Sequence, residues 1–213
     1  MLLFRSNPWF VPLLFPSNVW HFSRSKKVIY LTFDDGPIPE ITEWVLATLA
    51  KFNAKATFFC IGNNIEKHPE IFKQVVAHGH RIGNHTYNHL KGWKTDTYTY
   101  IANTALCHNI IESIAPEALE APLLFRPPYL RISKAQHQIL SKTYKMVFFD
   151  YITEDYEVKL TPEICKEAAL KDLKPGSVVI MHDSIKAAPR LMATLPAILE
   201  HYSAKGFIFK ALP

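Results

Sequence analysis

The sequence predicts an α/β fold, a distorted or incomplete (β/α) barrel of about seven parallel strands. Three observations predict it. Short runs rich in β-branched and aromatic residues alternate with longer segments of helical period, the pattern of a parallel sheet joined by crossover helices. Several of those runs are almost continuously apolar, as strands buried on both faces require. Unusual polar residues stand just past the C-terminal ends of the first, third, fourth, fifth and sixth runs. A barrel gathers all such ends at one mouth, whereas an open doubly wound sheet concentrates its ligands at a single switch point. A length of 213 residues with 48% hydrophobic content suits one compact domain.

The elements follow in order. Residues 1–26 are expected to form an N-terminal arm that packs on the domain, and residues 27–213 the domain itself. The arm contains WFVPLLFPSNVWHF, which is apolar but interrupted by Pro12 and Pro16 and followed by no small-residue cleavage site. It is too short and broken for a transmembrane segment and is a poor signal peptide. The default location is therefore cytoplasmic or peripheral to the membrane, with a membrane-surface anchor as the minor alternative.

Val28–Phe33 is the first strand. Ile41, Trp44, Val45, Leu49 and Phe52 then mark one apolar helical face. Ala56–Ile61 is the second strand. A helix opens at His68-Pro69-Glu70, with Pro in its first turn, and closes at Gly79. His80–Asn84 is the third strand, Thr95 to Ile114 a longer helix, and Leu123–Phe125 the fourth strand. Ser133 and Gln136 form a capping box ahead of another helix. Tyr144–Asp150 is the fifth strand and Thr161-Pro162 starts the next helix. Gly176–Met181, a helix from Pro189 to Tyr202 broken near Pro196, and a seventh strand at Gly206–Lys210 complete the series.

Composition narrows the function classes. The net charge is +5 and the pI about 9.0, but basic residues are scattered and no basic stripe interleaves with aromatics. This points to a solvated surface and away from nucleic acid. Cys60, Cys107 and Cys165 are odd in number and far apart, so they read as reduced cysteines packed as small hydrophobes.

Four segments carry chemistry. YLTFDDGP ends a strand in two adjacent carboxylates, Asp34 and Asp35. A plain Asp-Gly-Pro turn explains the Gly and Pro but not two carboxylates, which repel when close. A bound cation would relieve that repulsion, with neighbouring side chains pointing opposite ways so that one binds the metal and the other faces a water. HTYNH places His85 and His89 four residues apart. On a helical turn they would share a face and grip one metal ion, the alternative being two ordinary surface histidines. FRPPY sets Arg126 before two stiffening prolines, where it could hold one aspartate by a bidentate contact or simply be a surface arginine. VVIMHDS puts His182 at a buried strand end, as a general acid or a satisfied core histidine, with Asp155 and Asp183 as candidates to orient it. Trp93 and Tyr98 are expected to pack on the barrel rim rather than stack on a ligand.

TFDDGP, HTYNH, RPPY, the EDY segment and the IMHD segment occur in an order and spacing that resemble the NodB-type polysaccharide deacetylases, carbohydrate esterase family 4. The resemblance covers roughly residues 27–212. It implies a distorted (β/α) barrel and a metal-dependent hydrolase that removes N-acetyl groups from an amino-sugar glycan. It also implies that Asp35, His85 and His89 bind a divalent metal, usually zinc; that Asp34 is the catalytic base, held by Arg126; that His182 is the general acid, tuned by Asp155; and that the Tyr129 N–H helps stabilise the oxyanion. Two departures stand out. Leu130 follows RPPY where the family commonly has Gly, which would strain a left-handed backbone there. Ile152 and Tyr156 replace the first Asp and the Trp of the fourth motif. Cleavage of another C–N bond or of an acetyl ester on the same scaffold, and a catalytically inactive glycan-binding protein, are the competing functions.

Overall fold

A computed structural model of the chain describes residues 5–213, so the first four residues of the 1–26 arm lie outside the described residues. In chain order the elements are α1 (Val11–Leu14), β1 (Val28–Asp34), α2 (Ile41–Ala50), β2 (Thr57–Cys60), α3 (Gly62–Lys67), α4 (Pro69–Ala77), β3 (Arg81–Asn84), α5 (Thr97–Ile114), β4 (Leu124–Phe125), α6 (Lys134–Leu140), β5 (Lys145–Met146), β6 (Tyr151–Ile152), α7 (Pro162–Asp172), β7 (Val178–His182), α8 (Ala188–Ala204) and β8 (Ile208–Phe209). The sheet runs β5-β4-β3-β2-β1-β7-β6, and β8 pairs with the start of β1. Every pairing between these strands is parallel. The seven-strand path curls into a half-barrel, open between β5 and β6, as the strand count and the position of the polar residues imply.

The side chains of β1 sort by parity, as a two-sided strand must. Ile29, Leu31 and Phe33 join the main core, where α2, α4, α7 and α8 contribute Val45, Leu49, Phe72, Ala169, Leu195 and Ile198. Tyr30, Thr32 and Asp34 face the concave side. There Phe59, Leu124, Val147 and Val178 form a second apolar cluster. Capping fixes the helices. Asp96 accepts from the Thr99 N–H to start α5, and the Ser133–Gln136 capping box starts α6. At the far end of α7, the Tyr202 hydroxyl reaches the carbonyls of Ala169, Leu170 and Leu173, groups that a helix end leaves without partners.

The structure corrects the sequence reading in three places. The run Tyr144–Asp150 yields only the short β5, with β6 following just beyond it, because residues 147–150 turn aside to meet the N-terminal segment. Val19 donates to the Met146 carbonyl and accepts from Phe148, while Asn7 donates to the Asp150 carbonyl. Trp20 stacks on Phe148 with ring centroids 4.6 Å apart. Between these two anchor points α1 buries none of its residues, and Trp9, Leu13 and Leu14 stay exposed. Second, α8 continues through Pro196, its buried face of Leu191, Leu195, Ile198 and Leu199 packing in the main core. Third, α3 was not expected at all; GNN is a poor helix start, and its N–H groups bond to the Thr86 and Tyr87 carbonyls instead. All three cysteines are buried and free.

One glycine sets the spacing on the concave side. A Cβ at Gly83 of β3 would stand 2.3 Å from the Phe59 ring of β2, and that ring lies 4.1 Å beneath the Arg126 guanidinium. Gly83→Ala should therefore cost about 1–3 kcal/mol of stability through overpacking. Urea unfolding followed by circular dichroism would read this as a lower midpoint with an unchanged slope.

Candidate active site

The parallel strands deliver their C-terminal ends to one rim, and a cleft of about 500 Å³ opens there. Asp34, Asp35, His85, His89, Tyr129 and His182 all line it. Arg126 and Asp155 are fully buried behind it.

Asp34 ends β1 and Asp35 follows in the left-handed region, with φ of 87°. That turn sends the two carboxylates to different partners. Asp34 Oδ1 accepts from Arg126 Nη1 at 2.6 Å. Asp35 Oδ1 lies 3.3 Å from His89 Nε2 and 3.8 Å from His85 Nε2. The adjoining backbone is pinned twice. Asn64 donates to the Asp35 carbonyl at 2.7 Å. Asp183 accepts from the Gly36 N–H at 3.0 Å and from the Thr42 hydroxyl at 2.6 Å. Asp183 is thus a brace for the Asp34–Gly36 turn rather than an orienter of His182. Burial pushes its carboxyl up to about 8, with Asp35 adding to the rise and the Thr42 and Gly36 bonds opposing it.

Arg126 is the largest fully buried side chain. Its expected bidentate grip on an aspartate is absent, because its nitrogens are distributed. Nη1 also donates to Thr32 Oγ1 at 2.7 Å, Nη2 to the Phe148 carbonyl at 2.9 Å, and Nε to the Val147 carbonyl at 3.4 Å. Asp34 is therefore fixed through one oxygen and keeps the other for the cleft it lines.

His85 and His89 do not lie on a helical turn. The segment after β3 is a loop with Thr86 at φ 63° and His89 at φ 54°. The imidazoles nevertheless converge, with ring centroids 5.1 Å apart. His85 Nδ1 donates to the Arg126 carbonyl at 2.7 Å, which leaves Nε2 as a lone-pair donor facing Asp35. Burial, and then the neighbouring His89, hold His85 well below its ordinary pKa; burial also lowers His89. Both rings are thus neutral, the form that binds metals.

This trio is a possible metal-binding group, its three donor atoms all within 4.8 Å of one another. Asp35 Oδ1 is buried without a hydrogen-bond partner. An orphaned carboxylate oxygen beside two neutral imidazole nitrogens fits a divalent cation. The contacts to Asp35 also bracket the separation of about 3.4 Å that tetrahedral zinc with 2.0–2.1 Å bonds would impose.

On the opposite side, His182 ends β7. Asp155 holds it twice, accepting from Nδ1–H at 2.7 Å and from the backbone N–H at 2.8 Å. Burial alone would lower His182, but the charge and hydrogen bond of Asp155, with Asp35 and Asp34 behind them, raise it to about 9. Tyr156 packs edge-on against its ring at 5.1 Å. Asp155 sits in a loop after β6, which explains how a motif lacking its usual flanking residues still reaches the histidine.

The loop carrying Tyr129 is strained. Tyr129 and Leu130 both have positive φ, 58° and 57°. The Leu130 and Arg131 N–H groups bond back to the Pro127 and Pro128 carbonyls, and Leu130 packs between two buried clusters. Packing and prolines thus hold a Leu in a conformation that costs about 1–2 kcal/mol per non-glycine residue. Trp93 and Tyr98 do not pack as expected; they are 63% and 85% exposed. Lys91, Arg131 and Lys186 also line the cleft, none of them marked by a sequence motif, as do Ile180 and Ser184 of the VVIMHDS segment.

Comparison with known proteins agrees with this geometry. Residues 22–147 match the family model described as polysaccharide deacetylase. The chain is 33% identical over 198 residues to a peptidoglycan-N-acetylglucosamine deacetylase of Bacillus cereus, covering 89% of this chain and 88% of that one. It is 29% identical over 205 residues to a chitooligosaccharide deacetylase of Azorhizobium caulinodans, covering 90% and 95%. The crystal structure of the Bc1960 peptidoglycan N-acetylglucosamine deacetylase superposes with a TM-score of 0.87 at 30% identity, over 97% of this chain and 95% of that one. With these motifs on these strand ends, the chain belongs to the polysaccharide deacetylase family.

Proposed function

We propose that this protein is a metal-dependent hydrolase that removes N-acetyl groups from an amino-sugar glycan. One observation carries the reading: a neutral-imidazole and carboxylate trio lies in a single cleft between a buried Arg–Asp pair and an Asp–His pair. The similarity to peptidoglycan and chitooligosaccharide deacetylases supports the substrate class.

Asp35, His85 and His89 would hold the cation, zinc by the chemistry of this donor set. When bound, it supplies Lewis-acid polarisation of the acetyl carbonyl and lowers the pKa of an attacking water. Asp34 takes the proton from that water as it attacks the acetyl carbon. Arg126 holds Asp34 in place and balances its charge. Tyr129 lines the cleft, and its N–H would donate to the developing oxyanion. His182 Nε2 then delivers a proton to the departing amine nitrogen, because Asp155 occupies its other nitrogen. Acetate and a free amino sugar leave.

Asp34→Asn should lower kcat by about 10²–10⁴, the usual worth of a positioned acid or base, in an assay of acetate release from N-acetylated oligosaccharides. Turnover within threefold of the parent protein would remove Asp34 from the chemistry. Chelation should abolish activity and zinc should restore it. His89→Ala should weaken zinc binding by at least about 10²-fold in a competition titration, the loss of an inner ligand exceeding the 10–100-fold typical of its supports.

The pH dependence has a definite sign. His182 remains protonated as pH rises through neutrality and loses its proton near 9, or lower once a cation offsets the charge of Asp35. Activity should fall on that basic limb. Asp155→Asn should move the limb down toward the ordinary histidine value of about 6.5. Because the folded pKa is raised, the stabilisation from this pair is complete below about 6.5 and fades as pH climbs toward 9. A kcat/KM profile and a Tm series across that window measure both effects.

A further inference from the structure

The chemistry at the floor of the cleft leaves its mouth unexplained. Lys91, Arg131 and Lys186 border it, each from a different loop. Among the described residues none of the three has a carboxylate within ion-pairing distance. Each stands over an aromatic ring instead. Lys91 Nζ is 5.0 Å from the centre of Tyr129, the Arg131 guanidinium 4.5 Å from Trp93, and Lys186 Nζ 5.9 Å from Tyr156. A ring face attracts a cation through its quadrupole but leaves the charge whole. These contacts therefore hold three full positive charges at the mouth without cancelling any of them.

No carboxylate of the lining pairs with them. Its only carboxylates are Asp34 and Asp35, which are turned to Arg126 and to the two imidazoles. The remaining lining near Lys186 and Arg131 is apolar, with Leu130, Ile152 and Ile180. A concave site with low-dielectric walls and one sign of charge around its mouth focuses that field on an approaching ligand. A neutral oligosaccharide gains nothing from that field and must displace water from the three cations. An anionic one gains at each of them, and Arg131 can meet a planar carboxylate or a phosphate with two parallel N–H groups.

We propose that the glycan taken by this cleft carries anionic groups, carboxylate or phosphate, on the sugars flanking the N-acetylated residue, and that Lys91, Arg131 and Lys186 select for them. This rests on the deacetylase reading and deepens it, since it divides acidic wall-type or phosphorylated glycans from neutral chitin-like ones. The exposed face of Trp93 beside Arg131 supplies a platform on which a sugar ring can stack while its charged substituent meets the guanidinium.

The test compares the zinc-loaded protein on four ligands: neutral N-acetylglucosamine pentamer, a muropeptide oligomer with free carboxylates, the same oligomer with its carboxylates converted to methyl amides, and a phosphate-bearing N-acetylated oligosaccharide. Deacetylation gives KM and kcat, and calorimetric titration gives Kd without requiring turnover. We expect an acidic ligand to bind about tenfold or more tightly than the neutral pentamer, from three partly exposed ion contacts. The gain should appear in KM, shrink in 0.5 M salt, and vanish on amidation if carboxylates are the source. The variant K91Q/R131Q/K186Q should bring the acidic-to-neutral ratio toward one, while Lys73→Gln on the exposed side of α4 leaves the ratio unchanged. Equal Kd values for acidic and neutral ligands, or a ratio that survives the triple substitution, would overturn the proposal. Turnover of the pentamer alongside equal Kd values would leave the deacetylase reading standing. Charge-selective binding without acetate release from any ligand would sink that reading instead.

Discussion

The site depends on one buried charge. Arg126 brings a guanidinium into the concave side of an incomplete barrel, where removing an ion from water costs several kcal/mol even after relaxation. The surroundings answer it on every side. One carboxylate, one hydroxyl, two backbone carbonyls and one ring face take up its donors and its flat surface. Those partners do not come from one place. Thr32 and Asp34 belong to the central strand, whereas Val147 and Phe148 belong to the segment at the open edge beyond β5. The guanidinium therefore ties the middle of the sheet to the side where strand pairing stops. Burial lowers the Arg126 pKa and Asp34 raises it, so the pair is stable only while both members are present. Removing one partner of such a pair is far costlier than the pair's net worth, because the other charge is left uncompensated.

That constraint explains the adjacent carboxylates. Asp34 follows the pleat of β1 and is claimed by Arg126. Asp35 leaves the strand through a positive φ and is claimed by two imidazoles. Neighbouring negative charges are tolerated because each points to its own positive or cation-binding centre. The brace beneath them, Asp183 to Gly36 and Thr42, leaves no room for a side chain: a Cβ at Gly36 would lie 2.0 Å from the Asp183 carboxylate. The glycine of FDDGP is thus required by a third carboxylate as much as by the turn.

Much of this was legible in the sequence because short-range pattern and long-range structure agree there. VIYLTF reads as a buried strand and is one, and residues at or just past the ends of β1, β3 and β7 line the cleft, with Arg126, just past β4, buried behind them. What was not legible depends on distant partners. The length of β5 is decided by Val19, more than a hundred residues earlier. The helix α3 is held by carbonyls of the His85 loop and in turn supplies Asn64 to Asp35. A spacing of four brought His85 and His89 together, but through left-handed loop residues rather than a helical turn, and spacing alone does not separate the two. Arg126 was read as a fork for one carboxylate because its competition from backbone carbonyls is invisible along the chain.

The positions that depart from the family pattern bear on function rather than fold. Here Asp155 still reaches His182 through two hydrogen bonds even though Ile152 and Tyr156 stand where the pattern has Asp and Trp. The Asp155–His182 pair is therefore kept, and what changes is its surroundings. Ile152 puts an apolar wall where a carboxylate would have stood, and Tyr156 offers its ring to both His182 and Lys186. Losing a negative charge beside a cationic rim makes that rim more positive without touching the groups at the floor. Under the proposed function, substrate charge selection and bond cleavage would be carried by separate layers of one cleft, with the inner layer held by Arg126.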